Sequence, residues 1–307
     1  MKILLLGARG QVGWQLRRSL AVLGPLVALD RHGTVLCGDL ERPGDLARTV
    51  RETAPDVVVN AAAYTAVDRA ETDTARAFAV NAEACEVLAR EAAALGAWVV
   101  HYSTDYVFAG GGTRPWSEDD ATGPLNAYGR SKLAGEEAIR RHAPRHIILR
   151  TSWVFDTWGQ NFLKTILKRA ATQERLEVVD DQWGAPTRAA LIADVTAQLL
   201  RGLQPAQAGT YHLAAAGETH WHGYASFAVA RALQAGAALQ ARPERIAPVP
   251  SSRFPTAATR PANSRLATGK LCDTFGLALP DWRDGVDSVV RELAAFGALP
   301  LSAETTP

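Results

Sequence analysis

Short, unbroken apolar runs recur through the first half of the chain, each followed by a stretch with helical character. The runs are Ile3-Leu4-Leu5-Leu6, Leu26-Val27-Ala28-Leu29, Val57-Val58-Val59, Trp98-Val99-Val100-His101-Tyr102 and His146-Ile147-Ile148-Leu149. Helices are predicted over residues 11–23, 45–53, 74–95 and 127–141, and a further short strand at Val35-Leu36. A strand that is apolar at every position, rather than at alternate ones, must be covered on both faces. A parallel sheet layered between helices does this. After Arg150 the alternation weakens. Helices are predicted near 162–170, 189–200 and 224–233, and a strand at Leu176–Val179. Residues 241–261 hold five prolines and read as ordered loop. Residues 302–307 read as a frayed end.

The turn after the first run narrows this architecture. Gly7-Ala8-Arg9-Gly10-Gln11-Val12-Gly13 follows a strand and opens a helix. Glycines there permit a tight turn and let backbone N–H groups approach a pyrophosphate at the helix N-terminus. Glycine needed for turn geometry alone is the plainer alternative. Asp30 ends the second strand, where a carboxylate would accept from a ribose 2′-hydroxyl, whereas Arg31 beside it would pair with a 2′-phosphate. NAD and NADP both stay open. The fold class is therefore α/β: a Rossmann-type parallel sheet with helices on both faces, plus a smaller C-terminal α/β substrate domain. Residues 1–150 are assigned to dinucleotide binding. Residues 151–307 are assigned mainly to substrate binding, with some segments returning to the first domain.

In an open parallel sheet, ligands bind beyond the carboxyl ends of the strands. Asn60-Ala61-Ala62-Ala63 ends one strand in small residues and Ser103-Thr104-Asp105 ends another. Downstream, Tyr128 and Lys132 stand four apart on a predicted helix and share a face. An ammonium near the phenol would lower its pKa and make Tyr128 a proton donor near neutral pH, with Thr104 hydrogen-bonding the same reacting oxygen. A chance Tyr–Lys pair is the competing explanation.

Composition excludes several other classes. The 307 residues carry 33 Lys and Arg against 32 Asp and Glu, a net charge of +1, which gives no electrostatic case for nucleic acid or a membrane surface. Cys37, Cys85 and Cys272 lack C-x-x-C spacing, so neither a metal cluster nor a disulfide framework is indicated. No run approaches 18 apolar residues and no signal peptide is recognisable at the N-terminus, so the expected location is cytoplasmic.

The motifs taken together resemble an extended short-chain dehydrogenase/reductase, and within it the dTDP-4-dehydrorhamnose reductases. The similarity rests on Gly10–Trp14, Val59–Asp68, His101–Phe108, Leu125–Gly129, Arg150–Phe155, Asp181–Thr187 and Arg260–Leu266. It implies NADPH- or NADH-dependent reduction of the 4-keto group of dTDP-4-dehydro-L-rhamnose to dTDP-L-rhamnose, within nucleotide-sugar and surface polysaccharide (lipopolysaccharide) biosynthesis. By the same resemblance Gly10, Gln11, Val12, Asp30, Asp39, Leu40, Ala61, Ala62, Ala63, Tyr64 and Thr65 line the cofactor, and Lys132 holds the nicotinamide ribose. Thr104, Asp105 and Trp153 contact the sugar nucleotide, and Asn161, Gln182 and Arg260 its nucleotide end. Some relatives are metal-dependent homodimers using a C-terminal glutamate. Glu292 matches that position and would bring Mg2+ to a dimer interface, with a solvated helix-face carboxylate as the alternative. Sugar dehydratases of this superfamily usually place an acid pair after the strand-end threonine. Here Asp105 is followed by Tyr106, which favours a simple reductase. The non-catalytic regulatory subunits of methionine adenosyltransferase are also similar, and another sugar-nucleotide enzyme on the same fold is the remaining alternative.

Overall fold

The computed structural model describes residues 1–33 and 35–299, so the predicted frayed end at 302–307 lies outside the described residues. Its centre is a six-stranded, all-parallel sheet made of β1 (Ile3–Leu6), β2 (Leu26–Leu29), β3 (Val57–Asn60), β4 (Trp98–Thr104), β5 (His146–Thr151) and a later strand, Gly209–His212. The first two crossovers are α1 (Gln11–Ala21) and α2 (Pro43–Thr53). The next carries α3 (Val67–Ala70), α4 (Thr74–Phe78), a π-helical turn at Ala79–Glu83 and α5 (Ala84–Ala94), and α6 (Ala127–His142) follows β4.

The unbroken apolar runs divide by parity. Leu4, Leu6, Val58, Val99 and Ile148 pack with Leu46, Val50, Leu88 and Ile139 on one face. Ile3, Leu5, Val57, Val59, Val100 and Leu149 pack with Leu16 and Leu20 on the other. Both sides of the pleat are dry, as the pattern requires. β1 pairs with β2 on one side and β3 on the other. The chain thus reverses its direction of winding beside β1, and a crevice opens beyond Leu6, Asn60 and Thr104.

The remaining elements are β6 (Val154–Phe155), α7 (Phe162–Thr172), β7 (Leu176–Val179), β8 (Trp183–Gly184), β9 (Thr187–Arg188), α8 (Ala189–Leu200), β10 (the Gly209–His212 strand), β11 (Thr219–His220), α9 (Trp221–Gln234), β12 (Ile246–Val249), α10 (Gly269–Phe275) and α11 (Trp282–Ala295). Two of these rejoin the first body. β10 adds to the sheet beside β5, and Ile192, Ala193 and Leu199 of α8 enter the core under α1. A separate core unites Leu163 and Ile166 of α7, Leu176, Tyr224, Val229, Ile246, Trp282 and Val290.

Two expectations change. Val35-Leu36 is a bend, not a strand, and Val35 is exposed. Its segment lies past β2, the outermost strand, and folds back on itself, with the carbonyl of Leu36 close to Gly33. The proline-rich 241–261 segment contains β12, paired in parallel with β7 from Ile246↔Leu176 to Val249↔Val179. Pro248 is tolerated because β12 has a neighbour on one side only.

Candidate active site

A cleft of about 690 Å³ lies over the carboxyl ends of β1, β2, β3 and β4, within the size range of small-molecule sites. The glycine turn forms its floor. Gly7 has φ +79°, and a Cβ there would stand 2.6 Å from Ala62 N. A Cβ on Gly13 would stand 2.0 Å from Gly7 O. Those two glycines are therefore required by the packing of the turn itself. Gly10 differs: it caps α1 without a side-chain hydrogen bond, and the first turn contains no acidic residue. The first turn of α1 thus sets no carboxylate of its own against its early N–H groups, which fits a pyrophosphate there.

Every residue expected around the cofactor lines this cleft: Gly7, Gly10, Gln11 and Val12 from the turn, Asp30 and Arg31 after β2, Asp39 and Leu40 beyond them, Ala61, Ala62, Ala63, Tyr64 and Thr65 after β3, and Tyr128 and Lys132 from α6. Arg9, Ser103, Thr151, Gly159 and Gln160 line it as well. The last two could not be read from the sequence, because they reach the turn only through tertiary packing. Asp30 is already partnered. Its Oδ1 accepts from His32 N at 2.7 Å, and its Oδ2 lies 3.5 Å from Arg9 Nη1.

The acid–base groups sit where β4 meets α6. Asn126 caps α6 by accepting from Gly129 N at 2.8 Å, and Glu71 accepts from Ala127 N at 2.6 Å. A Cβ on Gly129 would be 2.3 Å from Tyr106 O, so glycine there lets the helix start press against the end of β4. This sets Tyr128 beside Thr104, close enough for the threonine hydroxyl to oppose the rise of the phenol's pKa. Thr104 Oγ1 donates to Asp105 Oδ1 at 3.1 Å and accepts from Tyr106 N.

Lys132 is almost fully buried. Its Nζ donates to Tyr102 O at 2.7 Å and lies 3.1 Å from His101 Nε2. The expected depression of the Tyr128 pKa is not found. Burial raises the phenol above its usual value, against the lowering effect of Thr104, while the Lys132 ammonium is engaged by Tyr102 and His101. Burial also pushes the Asp105 carboxyl up to about 7, with hydrogen bonds from Ser264 and Thr104 opposing it. Asp105 Oδ2 has no hydrogen-bond partner.

The residues expected at the substrate separate into groups. Trp153 adopts φ +48°, uncommon for a side chain of that bulk. It stacks on Trp221 at 3.7 Å, and a Cβ on Gly184 would be 2.7 Å from its ring. Gln182 and Arg260 line a second cleft of about 590 Å³, walled by Phe162, Ile166, Trp221 and Phe254. Gln182 accepts from Trp221 Nε1 at 3.1 Å, and Arg260 pairs with Asp68 at 2.7 Å. Asn161 instead caps α7 and donates to Gln11 Oε1 at 2.9 Å, tying that helix to the glycine turn. Glu292 accepts from Arg188 Nη2 through both oxygens at 2.7 Å. A lone carboxylate already neutralised by a guanidinium does not fit a Mg2+ ligand set, and no cluster of three metal-ligating side chains occurs among the described residues. Among them, too, no helix is long and apolar enough to cross a membrane.

Residues 1–295 match the family model described as the RmlD substrate binding domain. A dTDP-4-dehydrorhamnose reductase of Shigella flexneri is 51% identical over 301 residues, covering 97% of this chain and 100% of the relative. One from Burkholderia thailandensis is 50% identical, covering 95% and 99%. Among solved structures, a dTDP-4-dehydrorhamnose reductase from Bacillus anthracis in complex with NADP superposes with a TM-score of 0.86 at 30% identity, covering 95% and 100% of the two chains.

Proposed function

This chain belongs to the dTDP-4-dehydrorhamnose reductase family, and on that premise we propose how its residues carry the reaction. It is an NAD(P)H-dependent oxidoreductase that reduces the 4-keto group of dTDP-4-dehydro-L-rhamnose to dTDP-L-rhamnose, a step of rhamnose biosynthesis serving surface polysaccharides. The observation that supports the residue assignment is that Tyr128 and Lys132 line the dinucleotide cleft with Thr104 next to Tyr128 at the end of β4.

Gly7, Gly10, Gln11 and Val12 of the glycine turn would hold the dinucleotide, which would supply hydride to C4 of the sugar. Tyr128 donates its phenolic proton to the carbonyl oxygen as charge develops there, and solvent later restores that proton. Thr104 hydrogen-bonds the same oxygen, which favours the transition state over the ketone. Lys132 presents its ammonium to the nicotinamide ribose. Asp105, hydrogen-bonded to Thr104, and Trp153, stacked on Trp221, are assigned to the sugar nucleotide on the family resemblance. The second cleft, with Gln182 and Arg260, suits the nucleotide end; residues 1–150 serve mainly the cofactor and 151–307 mainly the substrate, with β10 and α8 returning to the first body. Because His32 N and Arg9 already compensate Asp30, a 2′-phosphate meets little net repulsion and a free ribose still finds an acceptor. Both NADPH and NADH then serve, with kcat/KM within about tenfold, or about 1.4 kcal/mol.

Tyr128→Phe tests the assignment. Turnover of the keto sugar should fall by roughly 10²–10⁴, while fluorescence titration shows unchanged NADPH affinity. Near-normal turnover would remove Tyr128 from the mechanism.

A further inference from the structure

Behind Lys132, on the side away from the cleft, lies a polar cluster for which the chemistry above has no use. Asn60 ends β3, Cys85 sits in α5 and His101 in β4, and each of the three is at most 1% exposed. Asn60 and His101 are register partners on neighbouring strands. His101 Nε2 lies 3.1 Å from Lys132 Nζ, and its Nδ1 lies 3.3 Å from Asn60 Nδ2 and 3.9 Å from Cys85 Sγ.

The donors and acceptors can be counted. An ammonium only donates, so Nε2 must offer its lone pair to Lys132. Burial holds His101 neutral, because its pKa falls well below the usual value, first through desolvation and then through the charge of Lys132. A neutral ring with a bare Nε2 carries its proton on Nδ1. That proton cannot go to Asn60 Nδ2, itself a donor, and Asn60 cannot reverse its amide because Oδ1 accepts from Ala62 N at 3.2 Å. Cys85 Sγ resolves the conflict. It lies within reach of His101 Nδ1 and also receives Asn60 Nδ2 at 3.6 Å. Burial pushes the Cys85 thiol up to about 11, so it stays a neutral, soft acceptor.

We propose that His101 is a positioning residue for Lys132: its Nε2 lone pair takes one ammonium N–H, and Cys85 Sγ holds the ring in the Nδ1–H tautomer. Tyr102 O takes a second N–H, which leaves the third for the cleft. Without His101 the ammonium would keep two N–H bonds to place and would swing off the ribose. This inference rests on the role given to Lys132 above.

Two measurements on the full chain test it. In 15N-histidine-labelled protein, with His101 assigned by its loss in His101→Gln, imidazole 15N shifts should show the proton on Nδ1. A proton on Nε2 would overturn the proposal whatever the variants do. In kinetics with NADPH and the keto sugar, His101→Phe should lower kcat by about 10–100-fold, as misplacement of a reacting group by about an ångström does. Its KM for NADPH should rise as well. His101→Gln, which restores an acceptor oxygen, should recover most of kcat. Wild-type kinetics in a folded His101→Phe would overturn the inference. Lys132→Met separates the two levels: normal turnover there would sink the reading of Lys132 itself, whereas loss there with normal His101→Phe would sink only the role of His101.

Discussion

At the scale of single residues, the site is defined by groups held away from their solution chemistry. Asp105 is the clearest case. It is 3% exposed, its Oδ2 is unpartnered, and burial lifts its pKa from the ordinary 3.8 to about 7. A carboxyl whose folded pKa exceeds its unfolded one favours the native state below the unfolded pKa, and that contribution is lost as pH rises through the folded value. The cost of the charged form is thus absent at pH 4 and complete at pH 8. Asp105→Asn should therefore raise the melting temperature at pH 8 and change it little at pH 4, while turnover falls. The gain is bounded by three pKa units, on the order of 4 kcal/mol, less the cost of an unpartnered amide N–H. Equal melting temperatures at pH 8 would mean that water reaches the carboxylate. Thr104, Tyr128 and Lys132 could be singled out as candidates in the sequence because their types and spacing suit the chemistry. The raised phenol and carboxyl pKa values were not, since both follow from burial, which spacing along the chain does not report.

Elements meet here through close backbone approaches that particular glycines allow. The single long helix predicted over 74–95 is interrupted by a π-helical turn at Ala79–Glu83. Such turns often mark functional sites. This one carries buried Asn81, whose Nδ2 donates to Tyr64 O at 3.0 Å and Ser131 Oγ at 2.9 Å, and whose Oδ1 accepts from Tyr64 N. It thereby fastens the loop after β3 to the helix bearing Tyr128 and Lys132. A Cβ on Gly135 would come within 2.0 Å of Asn81 O, so only glycine lets α6 seat there. Gly135→Ala would gain up to about 1 kcal/mol of helix propensity, yet overpacking against a carbonyl costs roughly 1–3 kcal/mol. Denaturant unfolding should show a net loss of stability together with reduced turnover. A stabilised variant would show that α6 can shift without penalty. The helix over 127–141 was readable in the sequence; the π-turn was not, because its buried Asn81 meets a helix some fifty residues later.

For the whole molecule, the question is what joins the two cores. Trp158 stacks on Trp14 of α1 with centroids 4.1 Å apart, and its Nε1 donates to Arg9 O at 2.9 Å. Asn161 donates to Gln11 at 2.9 Å, and Gly159 sits against the same side chain. The segment before α7 therefore clasps the turn expected to hold the pyrophosphate. Trp158→Ala should loosen that turn, raising KM for NADPH by about 3–10-fold, roughly 1 kcal/mol, with kcat nearly unchanged. An unchanged KM would show that the turn is rigid without the clasp. By itself the sequence determined the parallel sheet and the glycine turn after β1, and it singled out the candidate residues at the ends of β3 and β4 and on α6, because these are written in local periodicity, small residues and spacing. Tertiary structure alone decided that Pro248 lies in a strand beside Val178, that Trp158 reaches Arg9, and that His101 stands behind Lys132. In each case the partners are separated by roughly thirty to one hundred and fifty residues, and only packing selects which distant donor meets which acceptor.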